Sequence, residues 1–227
     1  MALLDLSHTT LVCADCVDAS RVIPVLEKCQ SLCRFGAVRF LTSLDTEYPH
    51  EKIRPLTSIN DYSAFLLKEV YTHVPTSHML IVQHDGWVLN PDAWNPDWLR
   101  YDYIGPLYLQ ETNVNDQTVG SGGFSFRSRA LMEAVAGLLP PWDGHCSYNA
   151  RDGRNSWGHE DGVVTKHLRR PLLERGFVFA PPMAAGKFAY GGNPNKAYYC
   201  PHPFGFHGFY AVDTLRGGSG SGSRVHP

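Results

Sequence analysis

The sequence predicts an α/β sandwich, and three observations carry that expectation. Two apolar runs, Thr9–Ala14 and Ala37–Thr42, flank a segment of helical period, a strand–helix–strand unit whose crossover is expected to be right-handed. A third run, Met79–Val82, is apolar throughout and meets the polar cluster Gln83-His84-Asp85-Gly86, as a strand buried in an α/β sheet does. Beyond it, irregular stretches surround one clear amphipathic helix, so the second half reads as α+β specialised for a ligand.

The first strand, Thr9–Ala14, ends at Asp15. Val22–Cys33 repeats apolar residues at Val22, Val25, Leu26, Cys29 and Cys33, a helical spacing. A polar, Pro-containing stretch runs from Asp45 to Asn60, and Asp61–Val74 predicts a helix capped by Asn60 or Asp61. Tyr101–Gly105 reads as a short strand or edge, Gln110–Thr118 as a loop, and Val119–Phe126 as a Gly-rich approach to an alternating piece. Ser128–Leu139 predicts a helix with Ser128 as its N-cap. After an irregular segment, Pro140–Trp157, the chain predicts a helix over Gly162–Glu174 interrupted at Pro171, then a late strand, Phe177–Ala180. Residues 1–216 are expected to form one domain and 217–227, GGSGSGSRVHP, a flexible tail.

With 227 residues, 43% of them hydrophobic, the chain can bury one good-sized core. A formal net charge of −2 gives no electrostatic footprint for nucleic acid. No apolar run approaches the ~20 residues of a membrane span, and the start lacks a basic n-region and long apolar h-region, so a cytoplasmic protein is expected. Cys13-x-x-Cys16 and Cys29-x-x-x-Cys33 have zinc-site spacing. Cys13 lies in an apolar strand, however, and Cys29 and Cys33 on a core-facing helical side, so buried reduced thiols are the preferred reading.

Sheets of this kind bind ligands beyond the carboxyl ends of their strands. There the sequence places Asp15, a hard oxygen ligand for Mg²⁺ or Mn²⁺ in Asp85, and Gly86, which lets the backbone turn and approach a ligand. Gly120-Ser121-Gly122-Gly123-Phe124, His159-Glu160-Asp161 and Phe204-Gly205-Phe206-His207-Gly208 join them.

Together these motifs resemble the GT-A class of nucleotide-sugar glycosyltransferases. A closer resemblance is to an uncharacterised bacterial and eukaryotic family with Q-x-D-G, D-Y-I-G, G-G-F-S, E-D and F-G-F-H-G motifs. Here those motifs are Gln83–Gly86, Asp102–Gly105, Gly122–Ser125, Glu160–Asp161 and Phe204–Gly208. The resemblance implies a GT-A-like (Rossmann-like) three-layer α/β/α sandwich with a mixed central sheet, a nucleotide-sugar donor and a glycan or other hydroxyl-bearing acceptor. It implies a divalent cation, Mn²⁺ or Mg²⁺, on Asp85 and His207, with Gln83 and His84 standing where a second Asp is often found. Asp161 would be the general base of an inverting transfer, with Glu160 as the alternative, and Asp15 would bind base or ribose. Gly122 and Gly123 would let backbone approach the donor sugar or acceptor.

Each feature also has a purely structural reading. Asp15 can cap the following helix, the Gly pair can mark a bulge, Glu160-Asp161 fits a first-turn charge preference, and His207 can be a satisfied structural histidine. Trp87, Trp94, Trp98, Tyr101 and Tyr103 suit a sugar-stacking surface or a core. The competing function is a non-catalytic nucleotide-sugar or glycan-binding module on the same fold.

Overall fold

The computed structural model describes residues 2–108, 119–140, 159–191 and 200–208. The expected loop Gln110–Thr118, the irregular segment after Pro140 and the tail 217–227 lie outside the described residues. The chain runs β1 (Leu4–Ala14), α1 (Ala19–Leu32), β2 (Cys33–Thr42), β3 (Glu51–Lys52), α2 (Ile59–Lys68) and β4 (His78–Val82). It continues as β5 (Tyr103–Ile104), β6 (Phe124–Ser128), α3 (Arg129–Leu138), α4 (Glu160–Gly162), α5 (Arg169–Glu174), α6 (Pro182–Phe188), β7 (Ala189–Tyr190) and β8 (Gly205–Phe206).

Six strands form one sheet in the order β3-β2-β1-β4-β6-β5. The first four are mutually parallel, while β6 lies antiparallel to both β4 and β5, so the sheet is mixed. Strand alternation sends side chains to two separate cores. Val12, Met79 and Ile81 meet Phe65 and Leu66 of α2 and Leu131 and Val135 of α3. Leu11, Cys13, Leu80, Phe124 and Phe126 meet Val22, Leu26 and Cys29 of α1 and the aromatic cluster of Trp98, Phe188 and Phe204. The architecture is therefore the expected three-layer sandwich.

Several boundaries differ from expectation. β1 begins at Leu4 because the polar run Ser7-His8 hides a strand whose register shifts between Leu6 and Thr10. Cys33, expected on the helix, caps α1 and opens β2 with no loop between. The N-cap of α2 is Ser58 rather than Asn60 or Asp61. Ser58 Oγ accepts the Asp61 N–H at 3.1 Å and the Asp61 carboxylate accepts the Thr57 N–H at 3.2 Å, a reciprocal capping arrangement. That helix ends at Lys68, whose ammonium donates to the Ala136 and Leu139 carbonyls at the C-terminal end of α3. Ser128 caps α3 as expected, accepting the Leu131 N–H at 3.0 Å. The break in the later helix falls at Leu168, after a five-residue π-turn. Pro171 sits in the first turn of α5, where a missing N–H costs little. In place of a strand at Phe177–Ala180 there is a single bridge, Phe179 to Tyr103.

Cys13, Cys29 and Cys33 are core residues, each 1% exposed or less. Burial raises all three thiols, Cys29 and Cys33 to about 12, so they are protonated hydrophobes. Trp98, Tyr101 and Tyr103 are likewise buried. Trp94 makes edge contacts with Trp98, Phe126 and Phe204, placing it within the aromatic core. No helix among the described residues is long and apolar enough to cross a membrane.

Away from the carboxyl ends of the parallel strands, His78 stacks on Phe126 at 4.8 Å and meets His8 edge-on. His8 Nε2 is buried without a hydrogen-bond partner among the described residues. Burial lowers both pKa values, and His8 lowers that of His78 further. The unfolded chain then binds protons more readily than the folded one, so stability falls as pH drops below about 6.5. In melting curves between pH 7.5 and 5.5 the difference between wild type and His8→Phe should isolate this contribution, wild type losing stability relative to the variant as pH falls. A difference that stays constant with pH would assign the acid sensitivity to other groups.

Candidate active site

The predicted residues gather along one edge of the sheet. Asp15 follows β1, Gln83–Gly86 follow β4, and Gly122 and Gly123 precede the antiparallel β6, whose start lies at the same edge. The Gln83-to-Gly86 turn closes through the Gly86 N–H donating to the Gln83 carbonyl at 3.1 Å. Gly86 does not have positive φ. Its role is close approach, because a Cβ there would stand 2.8 Å from the Phe206 carbonyl oxygen. The last motif docks on the same turn, with the Gly208 N–H, at φ 92°, donating to the Asp85 carbonyl at 2.8 Å.

This docking sets His207 among the predicted residues. Its Nδ1 lies 2.9 Å from Ser121 Oγ, and its Nε2 lies 3.3 Å from Gln83 Oε1 and 3.6 Å from Asp85 Oδ1. Gln83 in turn donates through Nε2 to the Tyr62 hydroxyl at 2.8 Å. Burial lowers the pKa of His207, against the pull of Asp85, so the ring is neutral. Asp85 Oδ1 is itself buried and has no hydrogen-bond partner among the described residues. At 3.6 Å the imidazole is too far away to satisfy it. A carboxylate oxygen and a neutral imidazole nitrogen are both ligand types that divalent cations accept. Among the described residues no group of three or more His, Cys, Asp or Glu side chains could hold a metal alone.

The two glycines join this cluster to the acidic pair. A Cβ on Gly123 would land on His207 Nε2, and one on Gly122 on Glu160 Oε1. Protein side chains therefore occupy the room the glycines leave. Glu160 is 4% exposed and bound through both oxygens to Arg127, at 2.6 and 2.9 Å. Arg127 is fully buried, lies 4.9 Å over the Tyr103 ring, and also donates to Ser125 Oγ at 2.9 Å. Asp161 is free of any such partner. Its Oδ2 accepts the Gly122 N–H at 3.0 Å and its Oδ1 the Gly162 N–H at 2.6 Å, leaving a lone pair on each oxygen. Burial first, then the neighbouring Glu160 charge, raises its pKa to about 6, against the two N–H groups and Arg127.

Asp15 stands apart from Asp85, in a cavity of about 360 Å³ that it shares with Arg21, Leu56, Thr57, Tyr62, Gln83 and His84. It does not cap α1, since that N-cap is Asp18. Sequence reasoning missed Arg127, Arg21 and Tyr62, and gave Ser121, present in the Gly-rich motif, no role of its own. For Arg127 a signal existed: in Phe124-Ser125-Phe126-Arg127-Ser128 alternation puts the arginine on the face opposite the two phenylalanines. A charge within a covered sheet requires a buried partner. The other three become significant only through contacts that the chain's course creates.

A model of the family described as "Protein of unknown function (DUF5672)" matches residues 45–207. No curated protein matches the chain by sequence. Among solved structures, a glycosyltransferase involved in the glycosylation of the major capsid of PBCV-1 is similar at a TM-score of 0.51 and 11% identity, over 88% of this chain and 91% of that one. The mannosyltransferase PcManGT from Pyrobaculum calidifontis, in complex with GDP-Man and Mn²⁺, gives a TM-score of 0.49 at 11% identity, over 92% of this chain and 60% of that one. The mixed α/β sheet described above thus shares its fold with that glycosyltransferase, in line with the expected fold class.

Proposed function

The chain belongs to the family described as "Protein of unknown function (DUF5672)", and from its site we propose a glycosyltransferase that moves a sugar from a nucleotide-sugar donor to a hydroxyl of a glycan or other acceptor. Asp161 carries this reading. Transfer to a hydroxyl needs a group to take its proton, and a carboxylate with a pKa of about 6 is ionised at neutral pH yet more basic than an ordinary one. Glu160 is the poorer choice, because a proton on it would leave the fully buried Arg127 guanidinium without its counter-charge. Asp161 carries no such ion pair and can take a proton without stranding a buried charge. Glu160 becomes the group that positions and tunes it.

The rest of the edge supports the same chemistry. The cavity beside Asp15 and Gln83 suits the nucleoside, and the Gln83–Gly86 turn leads from it to Asp85 and His207. Those two residues would hold Mn²⁺ or Mg²⁺, which when bound neutralises charge on the departing nucleoside diphosphate. Gly122 and Gly123 act by admitting Glu160 and His207, so that Asp161 and the Asp85–His207 pair flank one short stretch of backbone. A single available base beside the donor fits direct displacement, hence inversion at the sugar carbon. The shared fold with a glycosyltransferase adds to this support.

A panel of nucleotide-sugars, each with Mn²⁺, Mg²⁺ or EDTA, tests the reading by thermal shift and by released nucleoside diphosphate. At 100 times its Kd the right donor should add about 2.7 kcal/mol, a rise of roughly 5–10 °C. Metal-dependent stabilisation with slow diphosphate release is the expected result. Stabilisation by a donor with no turnover under any acceptor would instead identify a binding module, for which the missing second Asp near Asp85 speaks.

A further inference from the structure

The cavity beside Asp15 has an unusual rim. Val17 and Ile59, 71% and 56% exposed, line the cavity together with the buried Leu56 and with Tyr62. Scattered exposed aliphatics need no explanation, but two lining one cavity offer apolar surface to a flat ligand. A nucleobase has apolar faces of that kind and a polar edge that must be read separately.

Asp15 cannot read that edge. Its Oδ1 accepts the N–H groups of Val17 at 2.7 Å and Asp18 at 3.1 Å, and its Oδ2 accepts Arg21 Nε at 3.1 Å and Nη2 at 2.8 Å. A carboxylate has about four acceptor positions, and all are taken. What this arrangement does is fix a guanidinium. Arg21 lines the cavity, 36% exposed, held along one side while Nη1 makes no hydrogen bond among the described residues.

We propose that Arg21 reads the nucleobase of the donor and selects an oxo base (uracil, thymine or guanine) over cytosine or adenine, with Asp15 as its positioning residue. This rests on the glycosyltransferase reading above. A guanidinium only donates hydrogen bonds. The carbonyl oxygens of uracil O4 or guanine O6 accept them, whereas cytosine and adenine present an amino group there and set donor against donor.

The test is the Kd of UDP, CDP, GDP and ADP for the full chain, with inorganic pyrophosphate as the base-free control. At least one oxo base should bind about tenfold or more tightly than its amino counterpart. Arg21→Met should reduce that preference to below about threefold, with the loss falling on the oxo base and pyrophosphate unaffected. Arg21→Lys should retain part of it. Asp15→Asn, which frees the guanidinium, should weaken the preference without weakening pyrophosphate. Equal affinity of the intact chain for all four nucleotides would overturn the inference and leave the glycosyltransferase reading standing. So would an Arg21→Met loss shared equally by every nucleotide and pyrophosphate, which marks a phosphate contact. Binding of none of them would overturn both.

Discussion

Replacement of Asp161 by Asn is expected to reduce sugar transfer by two to four orders of magnitude while leaving donor affinity within a few-fold of wild type. Asn matches the shape of Asp and can still accept one of the two N–H groups, from Gly122 or Gly162, that orient the side chain. It cannot take a proton. The pH dependence separates loss of a base from loss of geometry. With a pKa of about 6, wild-type kcat/KM should fall as pH drops below 6, tenfold per unit, and the residual activity of the variant should lack this limb.

Stability supplies a control for the same variant. The pKa of Asp161 is raised from 3.8 to about 6, so the folded state holds the proton more tightly than the unfolded chain. Stability associated with that proton is present below pH 3.8 and lost as pH rises through 6. Above pH 6 the wild type therefore keeps an unfavourable buried charge that Asn lacks. The variant should melt no lower than wild type at pH 7.5, and the comparison should move in favour of wild type as pH falls toward 4. An inactive variant of intact stability and donor affinity would support the base. Retention of full activity would exclude it.

How far the sequence carried these conclusions depended on whether a signal was local. The strands at Thr9, Ala37 and Met79 and the Ser128 cap were legible because periodicity and capping act within a few residues. β1's first half was not, since Asp5, Ser7 and His8 interrupt the apolar pattern where the register shifts. The D-Y-I-G stretch was recognised as a motif, but its work depends on tertiary contacts. Asp102 accepts Ser128 Oγ and the Val178 N–H, and the Tyr103 hydroxyl donates to the Gly120 carbonyl. The acidic pair shows the same limit. Glu160 and Asp161 are neighbours of similar chemistry, and only the position of Arg127, 33 residues earlier, makes one structural and leaves the other free.

Glu160→Gln is accordingly expected to be the most destabilising of the site variants, by about 3–5 kcal/mol, because it strands a fully buried guanidinium. In a chain of this size that corresponds to a melting point lower by roughly 6–20 °C. Arg127→Met should cost a similar amount by stranding the carboxylate. The double variant Arg127→Met/Glu160→Leu should recover much of the loss, since the penalty lies in the unpaired charge rather than in the absent bond. A second readout follows from electrostatics. The Glu160 charge helps to raise the pKa of Asp161, while Arg127 lowers it. Glu160→Gln removes the first influence and leaves the second uncompensated, so both changes favour ionised Asp161, and the acid limb of the surviving activity should move below pH 6. A stability loss under 1 kcal/mol would mean that water reaches Arg127. An acid limb still at pH 6 would mean that the burial of Asp161 alone, and not its paired neighbour, sets the base.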